Sequence, residues 1–81
     1  MTTSHADLLR RAGTLLYGQA WQPELARALG INRRTIERWM AGSREPGGET
    51  WAEITELLFE HRDDLADLLE ELALRERGAP E

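Results

Sequence analysis

The chain has 81 residues and a formal net charge of −5, from 15 acidic residues against ten arginines, a length that suits one domain. The absence of cysteine excludes a disulfide framework and thiolate chemistry, and His5 and His61 are too few and too far apart for a metal cluster. We therefore expect no metal, no cofactor and no enzymatic activity, and the lack of an apolar run near ~20 residues predicts a cytoplasmic protein with no membrane partner.

The first predicted helix covers about residues 5–17. Ser4 and Asp7 have the spacing of a capping box, in which two side chains serve the first free backbone amides. Gly13 weakens a helix by roughly 1 kcal/mol relative to alanine, and Gly18 is expected to end it. Apolar residues recur along one face of this helix: Leu8, Leu9, Ala12, Leu15 and Leu16.

A short second helix is predicted at about residues 23–29. Pro23 is expected at its first position, because the missing N–H of proline has no partner there. Trp21, just before the cap, is expected to pack back on Ala26. Gly30 can adopt the positive φ that ends a helix after two turns.

The third predicted helix runs over about residues 33–41, with Asn32 as its cap and Gly42 as its end. At 100° per residue, Ile36 and Trp39 fall on one side of this helix. The opposite side is polar and carries Arg33, Arg34, Glu37 and Arg38. The pattern predicts a helix held by a core on one side and offering arginines on the other.

The spacing between Gln22 and Gly42 is typical of a helix-turn-helix, in which a small residue allows close approach and a glycine permits the turn. Over roughly residues 20–48 the chain resembles the lambda-repressor-like helix-turn-helix family. The framework positions that carry the resemblance are Ala26, Gly30, Ile31, Ile36 and Trp39. The resemblance implies an all-α, DNA-binding regulator whose third helix enters the major groove.

Four residues of the third helix are predicted to contact bases. Arg33 and Arg34 lie at its N-terminal end and suit guanine, which arginine binds in a bidentate manner. Arg38, one turn on, can reach a base or a phosphate. Glu37 has three possible roles: accepting from a cytosine amino group, orienting Arg33 or Arg34, or repelling phosphate at the wrong sequence.

Four further residues are predicted to contact the DNA backbone. Gln22 occupies the position where the resemblance implies a residue that contacts a phosphate and braces the third helix. Asn32, Ser43 and Arg44 can bind phosphates through side chains and helix-end amides.

The last predicted helix covers about residues 50–76 and begins with a second capping box, Thr50 to Glu53. Its apolar residues alternate at spacings of three and four, the pattern of a coiled-coil seam. The alternative is a bend near residues 62–64, where Asp63 caps a fifth helix. The predicted dimerisation residues are Leu58, His61, Leu65, Leu68 and Leu72.

Charge divides the chain into a basic half, with +4 over residues 1–44, and an acidic half, with −9 over residues 45–81. Together with the family resemblance and the predicted seam, this division predicts one domain over 1–81 that binds double-stranded DNA as a homodimer on an inverted repeat. Repression by promoter occlusion is the favoured mechanism, and contact of the acidic surface with RNA polymerase or another regulatory protein is the other. The alternative function is a protein-interaction module, such as an antitoxin-like adaptor, that docks through its acidic helix.

Overall fold

The computed structural model describes residues 4–78 and contains four α-helices and no strand within that range. The helices are α1 (His5–Tyr17), α2 (Trp21–Leu29), α3 (Arg33–Ala41) and α4 (Gly48–Gly78). The expected all-α bundle with a long C-terminal helix is confirmed. No helix in the described range is long and apolar enough to cross a membrane.

All four helices contribute side chains to a single small core. Pro46, in the loop between α3 and α4, is also buried, so this loop packs down on the bundle. Trp51 is only half-buried, at the edge of the core. The buried apolar residues are Leu9, Ala12, Trp21, Leu25, Ala26, Ile36, Trp39 and Ile54.

Gly13 is buried in the middle of α1 because the indole of Trp21 lies against it. A Cβ at Gly13 would lie 2.8 Å from Cγ of Trp21 and still closer to Cδ2 and Cε3 of the same ring. The glycine that weakens α1 as an isolated helix is therefore the residue that lets α2 pack closely against it.

The predicted Ser4 cap of α1 and the turn after α2 are present, whereas the Asp7 carboxylate pairs with Arg10 in place of the backbone amide expected in a capping box. The Asp7 amide donates to Oγ of Ser4 at 3.1 Å, while the Asp7 carboxylate accepts from Arg10. Gly30 has a φ of 70°, and the Ile31 amide donates to the carbonyl of Ala26 at 2.9 Å. This is the Schellman arrangement, in which a left-handed residue closes the helix.

Two predicted helix starts are wrong by two residues. The second helix begins at Trp21 rather than Pro23, and Pro23 is tolerated inside the first turn because amides there have no intrahelical partner. The last helix begins at Gly48, since the Trp51 amide donates to the carbonyl of Gly47 at 3.1 Å. Thr50 therefore lies inside α4 and does not cap it.

α4 is one continuous helix of 31 residues, without the fifth helix that a bend near residues 62–64 would start. Its first part packs on the bundle, with Ile54 buried. Every described residue from 62 to 78 is exposed. The molecule is accordingly elongated, 56 Å along its longest axis against 29 and 21 Å.

Candidate nucleic-acid interface

α3 has the two faces that its sequence predicts. Ile36 and Trp39 are buried in the core. The four residues predicted to contact bases are all exposed, and they form the polar face of α3: Arg33, Arg34, Glu37 and Arg38. Because the buried side chains fix the rotation of α3, the polar face points into solvent.

In the structure Glu37 pairs with Arg33, which is one of the three roles predicted for it. Nε of Arg33 lies 3.4 Å from Oε2 of Glu37. Both side chains are more than half exposed, and such a pair one turn apart contributes only about 0.3–0.5 kcal/mol. Arg34 and Arg38 have no ion-pair partner among residues 4–78. They are the arginines on this face most available to a polyanion.

Asn32 caps α3 as predicted, and the cap restricts what this residue can offer to a ligand. The Arg34 amide donates to Oδ1 of Asn32 at 2.8 Å, and the Thr35 amide donates to the Asn32 carbonyl at 2.9 Å. Two of the first amides of α3 are therefore occupied. The side-chain NH₂ group of Asn32 remains as a donor that can reach a phosphate.

At the C-terminal end of α3, the prediction that Ser43 binds a phosphate is likewise restricted to its side chain. Gly42 is left-handed with a φ of 84°, and the Ser43 amide donates to the Arg38 carbonyl at 3.0 Å. The backbone of Ser43 is thus engaged, which leaves its exposed hydroxyl as the available donor. Arg44 is also exposed in the loop that follows.

Gln22 is half-buried and is the second residue of α2. The cap position before this helix is Ala20, and no side chain caps it. In contrast to α3, the start of α2 therefore has no side-chain acceptor for its first amides. A helix N-terminus of this kind favours an anionic partner such as phosphate.

His5 has a structural role that the sequence did not reveal. Its Nε2 lies 3.0 Å from the Trp39 carbonyl, which accepts the bond near the C-terminal end of α3. The same carbonyl also accepts from the Gly42 amide at 3.2 Å, so His5 adds a second hydrogen bond to it and ties α3 to the start of α1. The two residues are 34 positions apart, and no local sequence signal links them.

The predicted dimerisation residues lie apart from the polar face of α3, along α4. Leu58 and His61 are half-buried, and Leu58 packs in part against its own core. Leu65, Leu68 and Leu72 are each about half exposed. Leu69, which widens the predicted apolar stripe of α4, is exposed as well.

No group of three or more potential metal ligands occurs within residues 4–78. A family model described as helix-turn-helix matches residues 22–65, just over half of the chain. The match takes in α2, α3 and the part of α4 that packs on the bundle. No curated protein and no solved structure matches the chain.

Proposed function

The chain belongs to the lambda-repressor-like helix-turn-helix family, and from this we propose that it is a sequence-specific regulator of transcription that acts as a homodimer on double-stranded DNA. One observation carries the proposal. A rigidly packed α3, with Ile36 and Trp39 buried, presents an exposed polar face rich in arginine. An arginine-rich helix of this kind fits the major groove, where arginine reads guanine.

Arg34 and Arg38 are the main base-reading residues in this proposal. They lie one helical turn apart on the polar face of α3, and neither is held by a carboxylate within the described part of the chain. Arg33 is a third reader, because its exposed pair with Glu37 is weak enough to exchange for a base or phosphate. Glu37 then orients Arg33 or accepts from a cytosine amino group.

Backbone contacts surround these readers and fix their register on the duplex. We assign them to Gln22 with the uncapped start of α2, to the NH₂ group of Asn32, and to the side chains of Ser43 and Arg44. These groups come from the start of α2 and from both ends of α3. A helix held at three points on the phosphates is restrained against sliding along the groove.

The homodimer forms through the exposed leucines of α4, a helix whose residues 62–78 are all exposed in the described part of the chain. A two-fold dimer of this motif reads half-sites about 10–10.5 base pairs apart, or multiples of that. Occupancy of such an inverted repeat within a promoter represses by occlusion. The acidic charge of α4 disfavours contact with the duplex, so DNA approaches from the α3 side.

Selection from a random duplex pool tests this function. We expect enrichment of an inverted repeat with guanines in each half-site, because arginine pairs best with that base. A protein carrying both Arg34→Ala and Arg38→Ala is the control. It should fold, since both substitutions lie on the solvent side of α3, and it is expected to enrich nothing because it lacks the two main base-reading residues. Failure of the unaltered protein to enrich any sequence overturns the proposal.

A further inference from the structure

Glu37 is the only acidic residue of α3, a helix that lies wholly within the described residues, and it lies inside the polar face of that helix. At 100° per residue, Arg33 and Arg38 are at the two edges of this face. Glu37 falls between them, roughly 40° from Arg33, and its side chain is 53% exposed. When α3 lies in the major groove, the middle of the face is directed at the base edges and its sides at the phosphates. Glu37 is therefore placed to meet a base.

Most base edges in the major groove disfavour a carboxylate. An ionised glutamate side chain only accepts hydrogen bonds, whereas guanine presents the acceptors N7 and O6 and thymine presents the acceptor O4. Adenine has a donor at N6, but its acceptor N7 lies beside that donor. Cytosine presents the donor N4 without an acceptor of its own. Cytosine is therefore the base that fits Glu37.

The ion pair with Arg33 leaves Glu37 able to make this contact. It joins Nε of Arg33 to Oε2 of Glu37 at 3.4 Å, and no hydrogen bond among residues 4–78 engages Oε1 of Glu37. The two oxygens of a carboxylate accept hydrogen bonds independently. Arg33 thus offsets the negative charge near the phosphates, while Oε1 stays available to a cytosine amino group.

We propose that Glu37 is a specificity-determining residue that requires cytosine at one position of each half-site, with Arg33 as the cation that holds its carboxylate. This inference rests on the proposed DNA binding and assigns the base that one residue reads. Cytosine gains a hydrogen bond from N4 to Glu37, whereas guanine or thymine at that position sets an acceptor against the carboxylate. Specificity thus comes from rejection of wrong bases as well as from attraction to the right one.

The remaining exposed residues of α3 favour the same class of half-site. Arginine reads guanine, and the sequence of α3 contains no asparagine or glutamine to read adenine. Asn32, which precedes the helix, uses its Oδ1 to cap it. A bidentate contact with adenine needs that oxygen as an acceptor. The half-site is therefore read through G·C pairs, with arginine on guanines and Glu37 on a cytosine.

Selection from a random duplex pool with Glu37→Gln tests the assignment. The substitution keeps the shape of the side chain, removes its charge and supplies an amide, which binds adenine. We expect the unaltered protein to enrich cytosine at one position of each half-site, and Glu37→Gln to lose that cytosine in favour of adenine. Glu56→Gln makes the same charge change at an exposed position of α4; it is the matched control and should enrich the same sequence as the unaltered protein.

Affinities for two duplexes give the size of the effect. In the second duplex the cytosine of each half-site is replaced by thymine, so that an acceptor takes the place of a donor. We expect the unaltered protein to bind this duplex at least about tenfold more weakly in fluorescence anisotropy. Glu37→Gln should bind the two duplexes nearly equally, with its helicity unchanged in circular dichroism.

Two results would overturn the inference while the proposed DNA binding stands. Glu37→Gln that keeps every cytosine of the enriched sequence excludes a contact between Glu37 and that base. A change confined to a guanine position that Arg33→Ala alters as well assigns Glu37 to orienting Arg33 instead. An unaltered protein that enriches no sequence overturns the proposed function itself, and this inference with it.

Discussion

Gly13→Ala is expected to destabilise the protein, although alanine is the better helix former. On propensity alone the substitution would stabilise α1 by roughly 1 kcal/mol. In the folded protein the new methyl would lie 2.8 Å from Cγ of Trp21 and closer to two other atoms of the indole. Trp21 is only 4% exposed, so the ring cannot move away without disturbing the core.

The magnitude follows from these two opposing effects. Overpacking a core by one methyl commonly costs about 1–3 kcal/mol, and this contact is at the severe end because the obstacle is a rigid ring. After the gain in propensity, we expect a net loss of about 2 kcal/mol in the free energy of unfolding. For a domain of this size, that lowers the melting temperature by about 10 °C.

Thermal unfolding followed by circular dichroism at fixed protein concentration measures the effect. Gly48→Ala is the matched control, since Gly48 begins α4 and has open space where a Cβ would point; it should be neutral or slightly stabilising. Combining Gly13→Ala with Trp21→Leu should cost less than the sum of the two, because the smaller side chain makes room. A rise in melting temperature for Gly13→Ala alone would refute the packing of Trp21 on Gly13.

Three further substitutions probe the interface and its support. Asn32→Ala should lower stability by about 1 kcal/mol through loss of the α3 cap, with Asn32→Ser nearly neutral; equal unfolding midpoints in urea for all three proteins would contradict the cap. His5→Ala should cost about 1 kcal/mol by removing the donor to the Trp39 carbonyl, and His5→Gln, which keeps a donor, should recover part of it in the same assay. Arg34→Ala should weaken binding to an enriched duplex by about 1–3 kcal/mol and relax preference at one base position; an unchanged base preference would remove Arg34 from the readers.

Local signals explain which helix ends could be predicted. α1 and α3 begin at a residue whose side chain accepts a hydrogen bond from a nearby backbone amide. These capping residues are Ser4 for α1 and Asn32 for α3. The predicted start of α2 at Pro23 is wrong because a proline fits the third helical position as well as the first. The predicted start of α4 is wrong because Gly47 and Gly48 are typical of a loop, whereas in the structure α4 begins at Gly48, two residues after the buried Pro46.

The candidate site likewise has features that the sequence predicts and features that depend on the fold. Helical periodicity alone predicted the polar face of α3, because the alternation of buried and exposed residues is a property of one helix. The engagement of the Ser43 amide, the choice of Arg33 as the partner of Glu37 and the bond from His5 to α3 depend on three-dimensional geometry. The sequence predicts that Gly13 weakens α1, and only the position of Trp21 in the fold explains why a glycine is needed there.

The central claim is that the polar face of α3 binds double-stranded DNA, and the affinity for an enriched duplex as a function of salt tests it most directly. Fluorescence anisotropy between about 50 and 200 mM salt should give a log affinity that falls linearly with log salt, by about 0.9 per phosphate neutralised. The variant with Arg34→Ala and Arg38→Ala should bind far more weakly while keeping its helicity. No binding at the lowest salt, or equal affinity of that variant and the unaltered protein, would contradict the claim.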